Sequence, residues 1–342
     1  MADKTFDQIM WEITAGLSGD SQKDCEYLQE QMDKYKDHKY CIEITRACGR
    51  LLYETLPEEK KEKLEKLVNN DSKGFDAALE EVRFNQYKKN YDKALELIEA
   101  MVKKCEDLAM YKDDEVSEYH CFNEPMEEML YREDYKPQKD VRRAQVKYDA
   151  LYLQYGSSLF DLQRLEDAEK ALAKGMRWNP SSTGLAFEHA ETFKARGLID
   201  DFGRLTKDIF KIAYRPGALA RCYRNMAFYF VEKKEYKAAV CCLLLSTGYE
   251  KSEFATSELY YISQVTGEVY EPSREELREC LESCGVPFGP RQEILEMAYS
   301  AGMYFYKQGD NDTAAYFLNI VSQFVDDEEI NEILEKIMPN EE

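Results

Sequence analysis

Apolar residues recur along this chain at helical spacing, and in several stretches two such stripes follow one another across a short polar break. Between Gln145 and Pro180 the first stripe is Tyr148, Tyr152, Tyr155 and Leu159, and the second is Leu165, Ala168, Leu172 and Gly175. Asp161 to Arg164 turn the chain between them, and Asn179-Pro180 stops the second. Gly156 lies inside the first stripe. A glycine in a helix interior costs about 1 kcal/mol against alanine, so it belongs where a second helix must come close. The pattern predicts two antiparallel helices in contact.

The same order of large and small positions returns. From Cys222 to Glu250 the stripes are Tyr223, Met226, Ala227 and Phe230, then Tyr236, Ala239, Leu243 and Ser246. From Gln292 to Val325 they are Ala298, Ala301, Gly302 and Phe305, then Ala314, Leu318 and Val321, across a turn at Gln308-Gly309-Asp310. From Phe75 to Asp107 they are Ala78, Val82 and Asn85, then Tyr91, Ala94, Ile98 and Met101, across Lys88 to Asn90. Two weaker copies lie between. Gly184 to Pro216 carries Phe187, Ala190 and Phe193, then Leu198, Phe202, Leu205 and Ile209. Ser252 to Leu281 carries Leu259, Ile262 and Val265, then a helix opened by Ser273 with Glu276.

These residues resemble the tetratricopeptide repeat (TPR) family. The Gln145–Pro180 unit is the fullest match, including its terminal proline, while Val82 stands where a small residue is usual. The resemblance is explicit over about half of the chain and extends from Phe75 to Ile337. It implies an all-α fold, a TPR-like right-handed superhelix: an α-solenoid of antiparallel helix pairs with an N-terminal helical cap. The cap, or a set of divergent repeats, is expected over residues 1–72 and the repeat array over 73–342.

In the N-terminal part, Phe6, Ile9, Met10 and Ile13 make one stripe, and Ser21 with Asp24 opens a second helix. Cys41, Ile44, Cys48, Leu51 and Leu52 make a third. Pro57 with Glu58 and Glu59 opens a fourth, expected to run to Leu67. Such helices can cover the open end of a repeat core or form a separate module. One segment, about 111–141, breaks the rhythm. It holds Asp113, Asp114, Pro125 and Pro137 among Tyr111, Tyr119, Phe122, Met126, Met129, Tyr131 and Tyr135. It is expected to be an irregular insertion that packs on the repeats or lies over their groove. The end, Asn340 to Glu342, is expected to be a frayed acidic tail.

Composition narrows the function. The net charge of −21 repels phosphate backbones and anionic lipid surfaces, so neither nucleic acid nor membrane is an expected partner. No apolar run reaches the ~20 residues of a membrane span. The start of the chain lacks the basic and apolar regions of a secretory signal, and the cytoplasm is the expected compartment. Ten cysteines, none in a C-x-x-C pair, and three scattered histidines give no zinc spacing. Buried, reduced thiols are expected. No phosphate loop, dinucleotide fingerprint, nucleophile elbow or H-E-x-x-H motif occurs. Asp310-Asn311-Asp312 starts like a calcium loop but lacks its Gly and closing Glu, and reads as a helix–helix turn. No catalytic residue, metal or cofactor is expected.

The resemblance directs attention to the groove lined by the first helix of each pair. Its candidate residues are Phe160 on the Gln145 unit, Phe187 and Lys194 on the next, Arg221, Arg224, Asn225 and Phe228 on the Cys222 unit, and Tyr299 on the last. Arginine forks onto carboxylates, asparagine bonds a peptide backbone, and aromatic rings supply contact area. The same arginines can equally pair with glutamates of a neighbouring helix. In the family a Lys/Asn/Arg set in this groove holds the C-terminal carboxylates of chaperone tails. Here Asn225 can take one such place, and the matching lysine and second asparagine are not evident. The expected function is a non-enzymatic scaffold that binds a protein or peptide in the groove. The alternative is a peptide-responsive regulatory sensor whose N-terminal helices form the effector module.

Overall fold

The structure, a computed structural model, describes residues 4–108 and 111–338, the side chains of 63–73 and 107–108 excepted. The tail expected at Asn340–Glu342 lies outside the described residues. The fold is all-helical apart from one two-stranded sheet. In chain order the elements are α1 (Phe6–Ala15), α2 (Ser21–Lys34), α3 (Cys41–Thr55), α4 (Glu58–Tyr87), α5 (Tyr91–Leu108), β1 (Ser117–His120), α6 (Pro125–Tyr135), β2 (Asp140–Arg143) and α7 (Tyr148–Asp161). They continue with α8 (Leu165–Trp178), α9 (Thr183–Ala195), α10 (Ile199–Ile209), α11 (Pro216–Glu232), α12 (Tyr236–Tyr249), α13 (Glu253–Thr266), α14 (Arg274–Ser283), α15 (Gln292–Gln308), α16 (Asn311–Ser322) and α17 (Glu328–Ile337). The chain forms two compact units, one of residues 1–121 and 137–154, the other of 122–136 and 155–342.

In the first unit α1, α2 and α3 close around Ile9, Ile13, Ile44 and Cys48, which the stripes of α1 and α3 mark, and Leu28 of α2. Asp20, rather than Ser21, caps α2, accepting from the Gln22 and Lys23 amides. Asp24 turns back to accept from Ser18 and Gly19. The helix expected to stop at Leu67 continues to Tyr87 as α4. Residues 68–74 carry asparagines, an aspartate and Gly74 but no proline. Each weak helix former costs well under the ~3 kcal/mol of a helix-interior proline. The boundary expected at 72/73 therefore falls inside α4. α4 and α5 pack as a hairpin, with Val82, Ala94 and Ile98 buried. β1 and β2 pair in parallel, Ser117 opposite Asp140 and His120 opposite Arg143.

In the second unit the periodic stripes become helix pairs. Four of its connections share one turn with the α4–α5 hairpin of the first unit. A residue in the left-handed region (Lys89, Gln163, Gly197, Lys234 or Gly309) is followed by one whose amide bonds the carbonyl five residues back. The five bonds, from Asn90 to Asn85, Arg164 to Leu159, Leu198 to Phe193, Glu235 to Phe230 and Asp310 to Phe305, span 2.8–3.1 Å. This is the Schellman closure of a helix C-terminus. It fixes the second helix of each pair in the same register. Val82 and Ile98, Gly156 and Leu172, Ala190 and Thr206, Ala227 and Leu243, and Gly302 and Leu318 are each sixteen positions apart, and all are buried. A Cβ added at Gly156 would lie 2.4 Å from Leu172 Cγ, and one at Gly302 2.7 Å from Leu318 Cγ. The two glycines mark helix contacts, as their place in the stripes predicts.

The expected irregular insertion is partly regular. Pro125, which reads in the sequence as a breaker, is in the first turn of α6, and Glu124 and Glu127 close a capping box around it. Met126 and Leu130 of α6 are fully buried in a core with Ile294, Ala298, Phe317 and Leu318 of α15 and α16. Glu124 accepts hydrogen bonds at 2.9 Å from the hydroxyls of Tyr214 and Tyr316 and pairs with Arg215. Glu127 accepts from the buried Asn179 at 2.9 Å. α6 is thus a structural helix of the second unit. The other weak copy departs from a tight hairpin: α13 ends at Gly267, and a polar connector leads to α14, whose Ser273–Glu276 capping box forms as its sequence predicts.

Candidate peptide-binding surface

α9 and α11 carry most of the candidate residues. α9 opens at Ser182, whose hydroxyl accepts from the Leu185 amide, and α11 opens at Pro216 in its first turn. One face of each helix is buried through Ala186, Ala190, Cys222, Met226 and Ala227, members of the unit's main core. The helical period then sets Phe187, Glu188, Glu191 and Lys194 on α9 near Arg221, Arg224 and Phe228 on α11.

These side chains interlock. The Arg221 guanidinium lies over the Phe187 ring, 4.5 Å from its centre, and reaches Glu188 at 3.0 Å and Glu191 at 3.9 Å. Lys194 pairs with Glu191 at 3.3 Å and places its ammonium 4.6 Å from the centre of the Phe228 ring. Phe228 meets Phe202 of α10 edge to face at 5.8 Å. Arg224 turns toward the end of α12, where it pairs with Glu250 at 2.9 Å and touches the Ser246 hydroxyl at 3.4 Å. Both arginines therefore have glutamate partners on neighbouring elements, the alternative that the sequence leaves open.

Two positions differ from the expected groove. Phe187 is only 3% exposed, so it supports Arg221 from below and presents no open ring. Asn225 is also buried, and its Nδ2 has no hydrogen-bond partner. A ligand backbone reaches that amide only if the side chains above it move. Phe160, half-buried on α7, and Tyr299, well exposed on α15, stand apart from the interlocked cluster.

The partners Glu188 and Glu250 were not singled out by sequence. Glu188 stands three residues before Glu191 on α9, so helical spacing alone could have found it. Glu250 follows the end of α12 and has no periodic signal.

The cluster suits exchange of partners. Exposed ion pairs contribute about 0–1 kcal/mol, so exchanging Glu188 for another carboxylate at Arg221 would cost little. A guanidinium can present two parallel donors to a carboxylate, and the flat face of this one is held by Phe187. Among the described residues no group of three His, Cys, Asp or Glu side chains is arranged to hold a metal ion, and no helix is long and apolar enough to cross a membrane. The chain matches no family model, and no curated protein matches it.

Proposed function

We propose that this chain is a non-enzymatic, cytoplasmic scaffold of the TPR-like kind, its helix pairs stacked in a right-handed superhelix, and that it holds a segment of another protein against α9 and α11. The carrying observation is the half-exposed set of alternating charges and rings around Arg221: Glu188, Glu191, Lys194 and Phe228. Such a set offers both signs of charge and aromatic area, which an extended peptide uses through its side chains and carboxylates. The buried, unpaired amide of Asn225 adds support. An unsatisfied buried donor costs about 1–3 kcal/mol, and a site that opens on binding gives it a use. Phe160 and Tyr299 extend the proposed groove onto α7 and α15.

Affinity capture from the source cell tests this reading. The wild-type chain and an Arg221→Glu/Arg224→Glu variant of equal thermal stability are compared. The reading requires the variant to lose partners that the wild type retains. An unchanged partner set removes these arginines from the site.

A further inference from the structure

We infer that the exposed stripe of α13 is a second docking surface, and that its occupant is a basic amphipathic helix of a partner protein.

α13 is apolar on two sides. Its inner side is Ala255 and Ile262, both buried, with Leu259 packed against the same core. Its outer side carries Phe254, Tyr261 and Val265, spaced by seven and four residues, and these are 53%, 50% and 47% exposed. A surface helix normally has one apolar stripe and a polar opposite face. Here the apolar arc is too wide for its contacts: Phe254, Tyr261 and Val265 each lie about 100° round the helix from the buried stripe, and among the described residues they remain about half exposed. Val269, in the connector that follows, is 75% exposed. Aromatic residues are what distinguishes the centre of a protein interface from ordinary surface.

A cavity of about 630 Å³, walled by Val240 and Leu244 of α12, Leu259 and Ile262 of α13, Tyr270 of the connector and Cys280 of α14, lies on the other flank of the buried stripe and meets the exposed patch only at Val269. It arises because α14 follows a seven-residue connector, Gly267–Ser273, and packs on α12.

Charge decides between occupants. From Ser252 to Ser273 the chain carries Glu253, Glu258, Glu268 and Glu271 and no lysine or arginine, between Lys251 and Arg274 at its two ends, so the bracketed segment remains net acidic. None of these four glutamates is engaged in an ion pair among the described residues. Lys234 and Lys237 flank the cavity from the start of α12, and Lys237 lies over the Tyr270 ring at 5.5 Å. A second copy of this chain would bring four more unneutralised glutamates to the contact, and an anionic membrane would add phosphates. Both are opposed by like-charge repulsion. Lysines and arginines on the flanks of an apolar helix stripe complement the surface, in the helix-in-groove mode.

The test titrates the full chain with a fluorescent amphipathic peptide of leucine and lysine, and with its counterpart in which glutamate replaces lysine. The chain is used as wild type, as Tyr261→Ser/Val265→Ser, as Glu258→Gln/Glu268→Gln/Glu271→Gln, and as Arg221→Glu/Arg224→Glu. The inference expects the lysine peptide to bind the wild type at least about tenfold tighter than the glutamate peptide. It expects about tenfold loss in the Tyr261/Val265 variant, a smaller and less salt-dependent affinity in the glutamine variant, and no change in the arginine variant. Equal binding by the wild type and the Tyr261/Val265 variant overturns it. Loss confined to the arginine variant also overturns it, by placing the peptide on α9 and α11 instead. So does a wild-type dimer in light scattering that becomes a monomer when Tyr261 and Val265 are replaced, since the occupant is then a second copy. The positions changed on α13 are exposed, so the fold is retained, and thermal unfolding of each variant verifies it.

Discussion

Gly156 and Leu172 show how one residue sets a helix contact. The leucine branch occupies the space a Cβ would need, 2.4 Å from Cγ. Gly156→Ala gains up to about 1 kcal/mol of helix propensity and loses more through overpacking, for a net cost of about 1–2 kcal/mol. Leu172→Ala alone costs about 2–4 kcal/mol by leaving a cavity. The double variant restores part of the volume, so its loss in urea denaturation falls short of the two single losses added. Simple additivity would contradict the contact. Thr206 stands at the same place as Leu172 in its own hairpin, fully buried, with its hydroxyl unpartnered. Thr206→Val keeps the shape and removes the orphan group, and is expected to raise stability by about 1 kcal/mol. A lower melting temperature in that variant would show that the hydroxyl is satisfied.

At the scale of elements, α6 is held by a carboxylate. Burial raises the Glu124 pKa, but hydrogen bonds from Arg215, Tyr316 and Tyr214 outweigh it, and the net direction is down. A depressed carboxylate stabilises the fold above its unfolded value, near 4.3, and that contribution disappears as the pH falls through its folded value. Glu124→Gln, a change at a partly exposed position, is expected to cost about 1 kcal/mol at pH 7. The gap between wild type and variant narrows as denaturation is repeated from pH 5 to pH 3. A gap that stays constant over that range would mean the charge of Glu124 contributes nothing.

This helix also marks where the sequence was hard to read. The hairpins were legible because their signal is local: stripe, turn and stripe lie within about 35 residues. In α6, Pro125 reads as a breaker although it stands in the first turn, where its missing amide costs nothing. Glu124 finds Tyr214 and Tyr316 at separations of 90 and 192 residues, which no periodicity reports. α4 ran past its expected end because polar residues weaken a helix without stopping it. At the candidate surface, Arg221, Arg224 and Phe228 were recognisable as one face of α11, and Lys194 as a position of α9. The burial of Phe187 and Asn225 was not, because it depends on what lies above them.

At the scale of the molecule, the net charge of −21 is unevenly used. Around Arg221 the acids are paired with bases, whereas along α13 they are unopposed. The two proposals differ accordingly: at the first surface a ligand would exchange ion pairs one for one, and at the second it would bring excess positive charge. The central claim is that α9 and α11 form a protein-binding surface. The most direct measurement is amide hydrogen exchange of the full chain with and without a partner recovered by affinity capture. The account predicts slowed exchange in α9 and α11, centred on Phe187–Lys194 and Arg221–Phe228. A bound partner that leaves both helices exchanging at their free rates, while protecting some other part of the chain, would contradict it.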